Sequence, residues 1–220
     1  MGDLLVSAII PAHNEQNTIA DVVRVLRSSN IIDETIVVSD GSEDATAQVA
    51  KDAGAIVYEL QNRSGKGAAM KHGVAQANAR VIAFFDADLI GLTKEHVEQI
   101  VMPVKTGAKA MQVGIRDRGR FWTSVSMHLP LIGGERAMRR EIFNVVPYKY
   151  LQGYMVESAL NYYCRVNKLP YGAVKLDGLI IRRKYEKVGL LLATVQYIKM
   201  FAQIAKAMAF VRLAHLFGKF

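Results

Sequence analysis

The chain has few of the residues that divide or cross-link proteins. Its 220 residues include one cysteine and five prolines, and no linker rich in serine, proline or glycine interrupts them. The single cysteine, Cys164, excludes an internal disulfide and is typical of a reducing compartment such as the cytoplasm. A strand-like pattern begins within a few residues of Met1, so we expect no signal peptide. Length and composition favour one main globular domain.

Acidic residues are scarce at the carboxyl end of the sequence. Residues 181–220 contain eight lysines and arginines but a single acidic residue, so they carry +7 of the formal +8 charge of the chain. The rest of the sequence is nearly neutral. We therefore divide the chain into a body, residues 1–187, and a basic tail, residues 188–220.

The tail lacks the run of roughly 20 apolar residues that a membrane-spanning helix needs, because Lys199 and Lys206 interrupt it. Its wide apolar face and basic stripe predict an amphipathic helix lying on an anionic membrane surface. The alternative is a helix that packs on the body or in a homodimer interface. We expect a cytoplasmic protein bound peripherally to the inner face of the cell membrane.

The body lacks a basic patch with interleaved aromatic residues, so we expect no nucleic acid among its partners. It also lacks the P-loop pattern and the glycine-rich, basic N-terminal loop of nucleotidylyltransferases. A non-catalytic protein that binds a nucleotide or a nucleic acid remains one of the functional classes to consider, beside an enzyme.

An apolar run followed by two acidic residues is the most informative pattern present. Residues 80–85 predict a strand that is buried on both faces, and Asp86-Ala87-Asp88 follows directly. Open α/β folds bind ligands in the crevice at the carboxyl ends of their strands. Carboxylate oxygens there are suitable ligands for Mg²⁺ or Mn²⁺, which can hold a diphosphate.

Two earlier strand patterns end in polar residues in the same way. Residues 5–10 lead into the segment 11–15, residues 35–39 lead into the segment 40–44, and each is followed by helical apolar spacing. Gly65-Lys66-Gly67 then opens another helix, where free N–H groups and a cation favour an anion such as phosphate. This alternation predicts a parallel sheet with one shared crevice.

Four motifs, in this order, resemble the nucleotide-sugar glycosyltransferases of the GT-A fold. They are residues 10–15, Asp40-Gly41-Ser42, Gly65-Lys66-Gly67 and residues 86–89. The chain is most similar to family 2 enzymes, among them glucosyl-3-phosphoglycerate synthases and dolichyl-phosphate mannose synthases. The resemblance is dense over residues 5–90, patchy to about residue 187 and absent beyond. It implies an α/β fold with a Rossmann-like, mostly parallel sheet flanked by helices, followed by the amphipathic helical tail.

The resemblance implies a role for each matched position. Asp40 would hydrogen-bond the nucleobase, Lys66 would reach the base or the phosphates, and Asp86 would contact the ribose. Asp88, with Asp86, would hold the metal and serve catalysis. The implied donor-binding set is Pro11, Ala12, Asn14, Glu15, Asp40, Gly41, Ser42, Gly65, Lys66, Asp86, Ala87, Gly134 and Glu135.

Glu157 is the candidate catalytic base, because residues 153–157 resemble the acceptor segment of these enzymes. A carboxylate near the reacting sugar carbon can act as a base or can stabilise positive charge. The alternative is an ordinary first-turn glutamate at the start of a helix predicted for residues 158–166.

The sequence departs from the resemblance at several positions. Ile90 stands where dolichyl-phosphate mannose synthases carry a glutamine, and residues 176–183 lack the histidine that completes the metal shell of glucosyl-3-phosphoglycerate synthases. Asp177 could replace that histidine, or water and diphosphate could complete the shell. His96, three residues after a candidate N-cap, is expected to be exposed. Arg116, with Arg118 and Arg120, forms either a phosphate-gripping acceptor loop or a solvated turn.

These observations predict a metal-dependent glycosyltransferase that moves a hexose from a UDP- or GDP-sugar to an acceptor. The expected acceptor is a lipid or polyprenyl phosphate at the membrane surface. The alternative is a soluble transferase that acts on a small phosphorylated acid such as 3-phosphoglycerate. The sequence leaves open the base, the sugar, and whether the anomeric configuration is retained or inverted.

Overall fold

A seven-stranded sheet forms the centre of the described part of the chain. The structure is a computed structural model that describes residues 4–116, 133–150 and 155–181. The strands are β1 (Val6–Ala12), β2 (Glu34–Asp40), β3 (Ile56–Leu60), β4 (Val81–Phe84), β5 (Leu89–Ile90), β6 (Met111–Arg116), β7 (Arg136–Arg139), β8 (Tyr171–Leu176) and β9 (Ile180–Ile181). The helices are α1 (Ile19–Arg27), α2 (Thr46–Asp52), α3 (Lys66–Gln76), α4 (Lys94–Lys105), α5 (Arg140–Val145) and α6 (Met155–Val166), with a 3₁₀ turn at Tyr148–Tyr150.

The strand order in the main sheet is β3-β2-β1-β4-β7-β6-β8. Strands β3, β2, β1 and β4 are parallel, β7 is antiparallel to both of its neighbours, and β8 is parallel to β6. Strands β5 and β9 form a separate antiparallel pair. The predicted fold class, a mostly parallel sheet flanked by helices, is confirmed.

Strands β1, β2 and β4 end at the same edge of the sheet. Ile9 pairs with Phe84 in the β1–β4 register, and the next N–H, that of Phe85, donates to the Ile9 carbonyl at 3.2 Å. Strand β1 lies between β2 and β4, so the order of strands reverses there. A reversal of this kind opens a crevice beyond the carboxyl ends of the strands, and Asp86 and Asp88 follow β4 directly into it.

Both faces of the sheet are buried at its centre, which explains why β1 and β4 are apolar at nearly every position. Residues such as Ile9 and Phe84 pack with apolar side chains of α3, α5 and α6 on one face. Their neighbours Ile10 and Ala83 pack with α1, α2 and α4 on the other face. The two helical layers hold the strand ends, and therefore the crevice, in a rigid frame.

His96 is buried, at 7% exposure, so the prediction that it is exposed was wrong. Thr93 does cap α4 as expected, because its hydroxyl accepts the His96 N–H at 3.3 Å. The His96 ring completes the cap by accepting the Thr93 N–H at its Nδ1 atom. Its Nε2 atom then donates to the Asp177 carbonyl at 2.9 Å, and this long-range contact draws the ring inside.

The tail, residues 188–220, lies outside the described residues, as do Arg118 and Arg120. Among the residues that are described, no helix is long and apolar enough to cross a membrane.

Candidate active site

Asp86 lies at the centre of a charged cluster at the carboxyl edge of the sheet. The Lys66 ammonium donates to Asp86 Oδ1 at 2.6 Å, and the Arg116 guanidinium pairs with Asp86 Oδ2. Lys66 is the first residue of α3 and Arg116 is the last residue of β6. The start of α3 and the end of β6 therefore meet at the carboxylate that follows β4.

Glu135 completes the cluster from the segment that precedes β7. Arg116 donates to it twice, from Nε to Oε2 at 2.9 Å and from Nη2 to Oε1 at 2.6 Å. The Glu135 side chain is 0% exposed and that of Arg116 is 11% exposed, so this two-pronged pair is shielded from water. Such geometry holds the guanidinium plane in one orientation.

Gly134 allows the backbone to pass close to this cluster. A Cβ atom at this position would lie 2.8 Å from Arg116 Nη2 and would also collide with Asp86 Oδ2. Only glycine leaves space for that approach. The implied donor-binding residues Gly134 and Glu135 are therefore brought together with Asp86 and Lys66.

The cluster keeps Asp86 ionised. Burial alone would raise the pKa of Asp86, but the charges of Lys66 and Arg116 hold that pKa well below its ordinary value. Partial desolvation lowers the pKa of Lys66, but the carboxylates of Asp86, Glu157 and Glu135 together raise that pKa above its ordinary value. Both oxygens of Asp86 are thus engaged by cations, which makes Asp86 a poor free ligand for another cation.

Asp88 is half-buried and stands apart from these pairings. Burial, followed by repulsion from Asp86, raises the pKa of the Asp88 carboxyl. A divalent cation would relieve that repulsion, so Asp88 fits the predicted metal ligand better than Asp86 does. The described residues contain no group of three or more His, Cys, Asp or Glu side chains that could hold a metal ion. Water and a bound diphosphate would have to supply the remaining ligands, as Mg²⁺ readily permits.

The loops after β1 and β2 are joined by side-chain bonds to the backbone. The Asn14 N–H donates to Ser42 Oγ at 3.2 Å, and Asn14 Oδ1 accepts the Glu43 N–H at 2.9 Å. The Glu15 N–H donates to Thr46 Oγ1 at 2.8 Å. Asn14 has a left-handed backbone with φ 56°, which asparagine tolerates. These bonds bring the predicted residues of the two loops to one rim of the crevice.

Asp40 joins the end of β2 to the loop before α3. Its Oδ1 accepts the Ser64 N–H and its Oδ2 accepts the Gly65 N–H, both at 2.7 Å. Gly41 follows with φ +62°, and a Cβ there would lie 2.5 Å from the Arg63 nitrogen. Asp40, which the resemblance implies contacts the nucleobase, thus uses both carboxylate oxygens to accept backbone N–H groups.

A cavity of about 570 Å³ opens beside these loops, beyond the ends of β1, β2 and β3. His13, Gly41, Ser42 and Arg63 are among the residues that line it. The His13 Nδ1 atom lies 2.9 Å from the Asp40 carbonyl, which orients the ring. His13 was absent from the predicted set, although its place inside the first motif could have indicated it.

Pro11 and Ala12 are the last two residues of β1. Ala12 and Ala87 are 3% and 4% exposed. Their side chains are therefore buried, and they contribute to the crevice mainly through the course of their backbone.

Glu157 lies in the first turn of α6, which begins at Met155. Its Oε2 atom is buried and makes no hydrogen bond to a described residue, and the same is true of the Nη1 atom of Arg136. Burial raises the pKa of Glu157, although Arg136 and Lys66 oppose that shift. Arg136 is 1% exposed, and its Nη2 donates to the Gly133 carbonyl at 2.5 Å. Glu157 is thus coupled electrostatically to the cluster around Asp86.

Arg116 is the residue whose role sequence reasoning left undecided. The structure places it in the cluster, not in a solvated turn. The signal that could have found it is its position at the end of the mostly apolar segment 111–115, as with Asp40 and Asp86.

Comparison with known proteins identifies the family and the fold of the chain. The family model described as Glycosyl transferase family 2 matches residues 7–158. Glucosyl-3-phosphoglycerate synthase from Mycobacterium tuberculosis, in complex with phosphoglyceric acid, superposes with a TM-score of 0.77 at 25% identity, over 94% of this chain and 80% of that one. The same enzyme with Mn²⁺ and uridine-diphosphate-glucose superposes with a TM-score of 0.74 at 25% identity, over 94% and 79%.

A curated relative is similar over a shorter region. It is the 4,4'-diaponeurosporenoate glycosyltransferase of Staphylococcus aureus, 37% identical over 98 residues, which are 42% of this chain. The match spans 26% of that relative, so this chain corresponds to about a quarter of its length.

Proposed function

The chain belongs to glycosyl transferase family 2, and from that premise we propose that it transfers a hexose from a nucleoside-diphosphate sugar to an acceptor. The predicted family is confirmed by the match over residues 7–158. Donor, metal and acceptor are proposals that rest on the site described above.

The charged cluster at Asp86 is the observation that carries this function. Transfer from a nucleoside diphosphate requires neutralisation of the leaving diphosphate. Lys66 and Arg116, at the edge of the crevice, would contribute to this neutralisation, and the Lys66 side chain is 43% exposed. A Mg²⁺ or Mn²⁺ ion bound at Asp88 would supply further charge compensation. The similar enzyme from M. tuberculosis, whose structure contains Mn²⁺ and a UDP-sugar, supports this proposal.

The nucleobase of a UDP- or GDP-sugar is proposed to occupy the cavity beside β1, β2 and β3. The His13 ring offers a face for base stacking, and Ser42 offers a hydroxyl. Asn14 and Glu15, held by the loop after β2, would face the ribose together with Asp86. The diphosphate would then extend from this cavity toward Lys66 and Asp88.

Glu157 is proposed to act on the acceptor as a base. Its buried carboxylate oxygen has no hydrogen-bond partner among the described residues, and this leaves the oxygen able to accept a proton. An acceptor hydroxyl beside it would provide that partner.

Two acceptor classes are proposed, in order of preference. The basic amphipathic tail favours a lipid or polyprenyl phosphate at an anionic membrane surface. The similarity to a structure with bound phosphoglyceric acid favours a small phosphorylated acid. In that second case the tail would serve as a packing or homodimer helix.

The test of the donor site is sugar-nucleotide hydrolysis by the full-length chain. UDP-glucose, UDP-galactose and GDP-mannose are incubated with Mn²⁺, with Mg²⁺ and with excess EDTA. We expect EDTA to abolish turnover and Asp88→Ala to reduce it by at least about 100-fold. Asp52→Ala, which removes an exposed carboxylate at the last residue of α2, is the matched control and should retain activity. Full turnover in EDTA would exclude the metal.

The preferred donor is then offered to polyprenyl phosphate in vesicles and to 3-phosphoglycerate in solution. Glycosylation of one and not the other decides between the two acceptor classes. A protein that binds nucleotides but neither hydrolyses nor transfers the sugar would instead be the non-catalytic alternative.

A further inference from the structure

Asp40 makes an unusual pair of contacts for a residue expected to read a nucleobase. It is the last residue of β2 and is 4% exposed. Its two carboxylate oxygens accept the N–H groups of Ser64 and Gly65, each at 2.7 Å. Bonds from backbone N–H groups to an ionised carboxylate are stronger than neutral ones. The carboxylate therefore clamps two consecutive peptide units of the loop.

The clamped loop leads directly into Lys66. Gly65 has φ 92°, a left-handed conformation that turns the chain into α3. Lys66 is the next residue, and its ammonium reaches Asp86 at 2.6 Å. Lysine is a flexible side chain whose charge is placed only as well as its backbone is placed. Hence the position of the ammonium depends on the loop that Asp40 holds.

We propose that Asp40 is a positioning residue for Lys66, holding the start of α3 so that the ammonium meets the diphosphate of the donor. This role rests on the proposed function, because Lys66 has a diphosphate to meet only if the chain binds a nucleotide sugar. It differs from the nucleobase contact that the family resemblance implies. A positioning residue acts on every ligand that carries a diphosphate, whatever its base.

Inorganic pyrophosphate separates the two roles because it has no base. Binding of pyrophosphate, UDP and GDP, each with Mn²⁺, is measured by calorimetry on the full-length chain. The variant is Asp40→Asn, in which one carboxylate oxygen becomes an amide donor that faces a backbone N–H. We expect all three ligands to bind about tenfold more weakly, by a common factor.

A double variant tests whether the effect passes through Lys66. If Asp40 acts by placing the ammonium, Asp40→Asn adds nothing once Lys66→Ala has removed it. The double variant should then bind pyrophosphate as weakly as Lys66→Ala alone. If the double variant loses pyrophosphate affinity by the product of the two single-variant losses, the proposal is overturned.

Glu34 provides a matched control at the other end of the same strand. It is the first residue of β2, and its Oε1 accepts the Asn78 N–H at 2.8 Å. Glu34→Gln thus alters a comparable acid-to-backbone contact far from the crevice. Its pyrophosphate affinity should equal that of the wild type, which separates positioning from general destabilisation.

A measurement on the wild type covers the case in which Asp40→Asn fails to fold. The amide protons of Ser64 and Gly65 should exchange slowly with solvent, and rapid exchange of both would contradict the clamp. Loss of UDP and GDP binding with unchanged pyrophosphate binding in Asp40→Asn would mean that Asp40 reads the base. A wild type that binds none of the three ligands would refute the proposed function itself, and the role of Asp40 with it.

Discussion

Asp86 and Asp88 are two residues apart and chemically identical, yet their surroundings give them different tasks. Asp86 is held ionised by Lys66 and Arg116, whereas burial and the neighbouring Asp86 raise the pKa of Asp88. A cation approaching the crevice therefore gains more from Asp88, whose charge Arg116 and Lys66 compensate less than that of Asp86. The two side chains are identical, so the difference between their pKa values arises from the neighbouring charges that each carboxylate contacts.

The burial of Glu157 leads to a prediction about the pH dependence of turnover. Burial raises its pKa above the ordinary 4.5, so a base at this position stays protonated to higher pH than a surface glutamate. Turnover should rise with pH through that raised pKa, and Glu157→Gln should remove this dependence and lower turnover by about 100-fold or more. UDP affinity, measured at each pH, should change little in the variant. Wild-type turnover in Glu157→Gln would exclude it as the base.

Stability gives an internal control for this variant. The folded state binds a proton at Glu157 more tightly than the unfolded state does, so its ionisation costs stability as pH rises through the raised pKa. Glutamine cannot ionise and is spared that cost. Glu157→Gln should therefore melt no lower than the wild type at pH 7, and loss of turnover cannot then be attributed to unfolding.

At the scale of elements, the site is assembled from the ends of strands and the start of one helix. Strands β1, β2 and β4 end at one edge of the sheet because they are parallel. Strand β6 brings Arg116 to this edge, and the segment before β7 brings Glu135 opposite it. Strand β7 runs antiparallel to β4, so the segment that precedes it lies at the carboxyl end of β4. This places Gly134 against Asp86.

Gly134→Ala tests this close approach. The added methyl group would collide with Asp86 and lie 2.8 Å from Arg116 Nη2, which should separate the two charges. We expect donor affinity, measured by calorimetry with Mn²⁺, to fall about 10- to 100-fold. Gly172→Ala in β8 is the control, since its methyl group would meet chiefly the flexible end of Lys109. Equal affinities in both variants would show that the approach of Gly134 is unimportant.

At the scale of the whole molecule, positive charge is concentrated at the carboxyl end. Residues 181–220 carry +7 of the formal +8, and four of their lysines and arginines lie in the tail. Each basic residue near an anionic surface contributes about 1 kcal/mol to binding, and buried apolar side chains add to that. Neither contribution alone gives firm attachment. Together they would give reversible binding that weakens with salt, which would bring the crevice to a lipid acceptor.

Charge reversal in the full-length chain tests this proposal. Lys199→Glu with Lys206→Glu should weaken sedimentation with anionic vesicles about tenfold or more, while Lys51→Glu with Lys94→Glu, in the body, should change it little. Both pairs alter the net charge equally. If neither pair matters and the chain forms a stable dimer, the tail is an oligomer interface and the soluble acceptor is favoured.

The sequence by itself determined three central strands of the main sheet and the edge at which they end. Apolar runs that are buried on both faces predicted β1, β2 and β4 within a few residues, because such runs are stable only inside a layered α/β fold. Polar residues at the ends of those runs predicted which side chains line one edge, since parallel strands end together. The family followed from four short motifs in order, and the match over residues 7–158 confirmed it.

The tertiary structure decided the contacts between residues that are distant in the chain. The pairing of Arg116 with Asp86 and Glu135, the clamp of Asp40 on the Gly65 loop and the burial of His96 against Asp177 each join segments brought together only by folding. No local pattern encodes them, because a charged residue at a strand end looks the same in sequence whether it faces water or a partner. Folding alone decides which of these charges are compensated, and that in turn decides the task of each residue at the crevice.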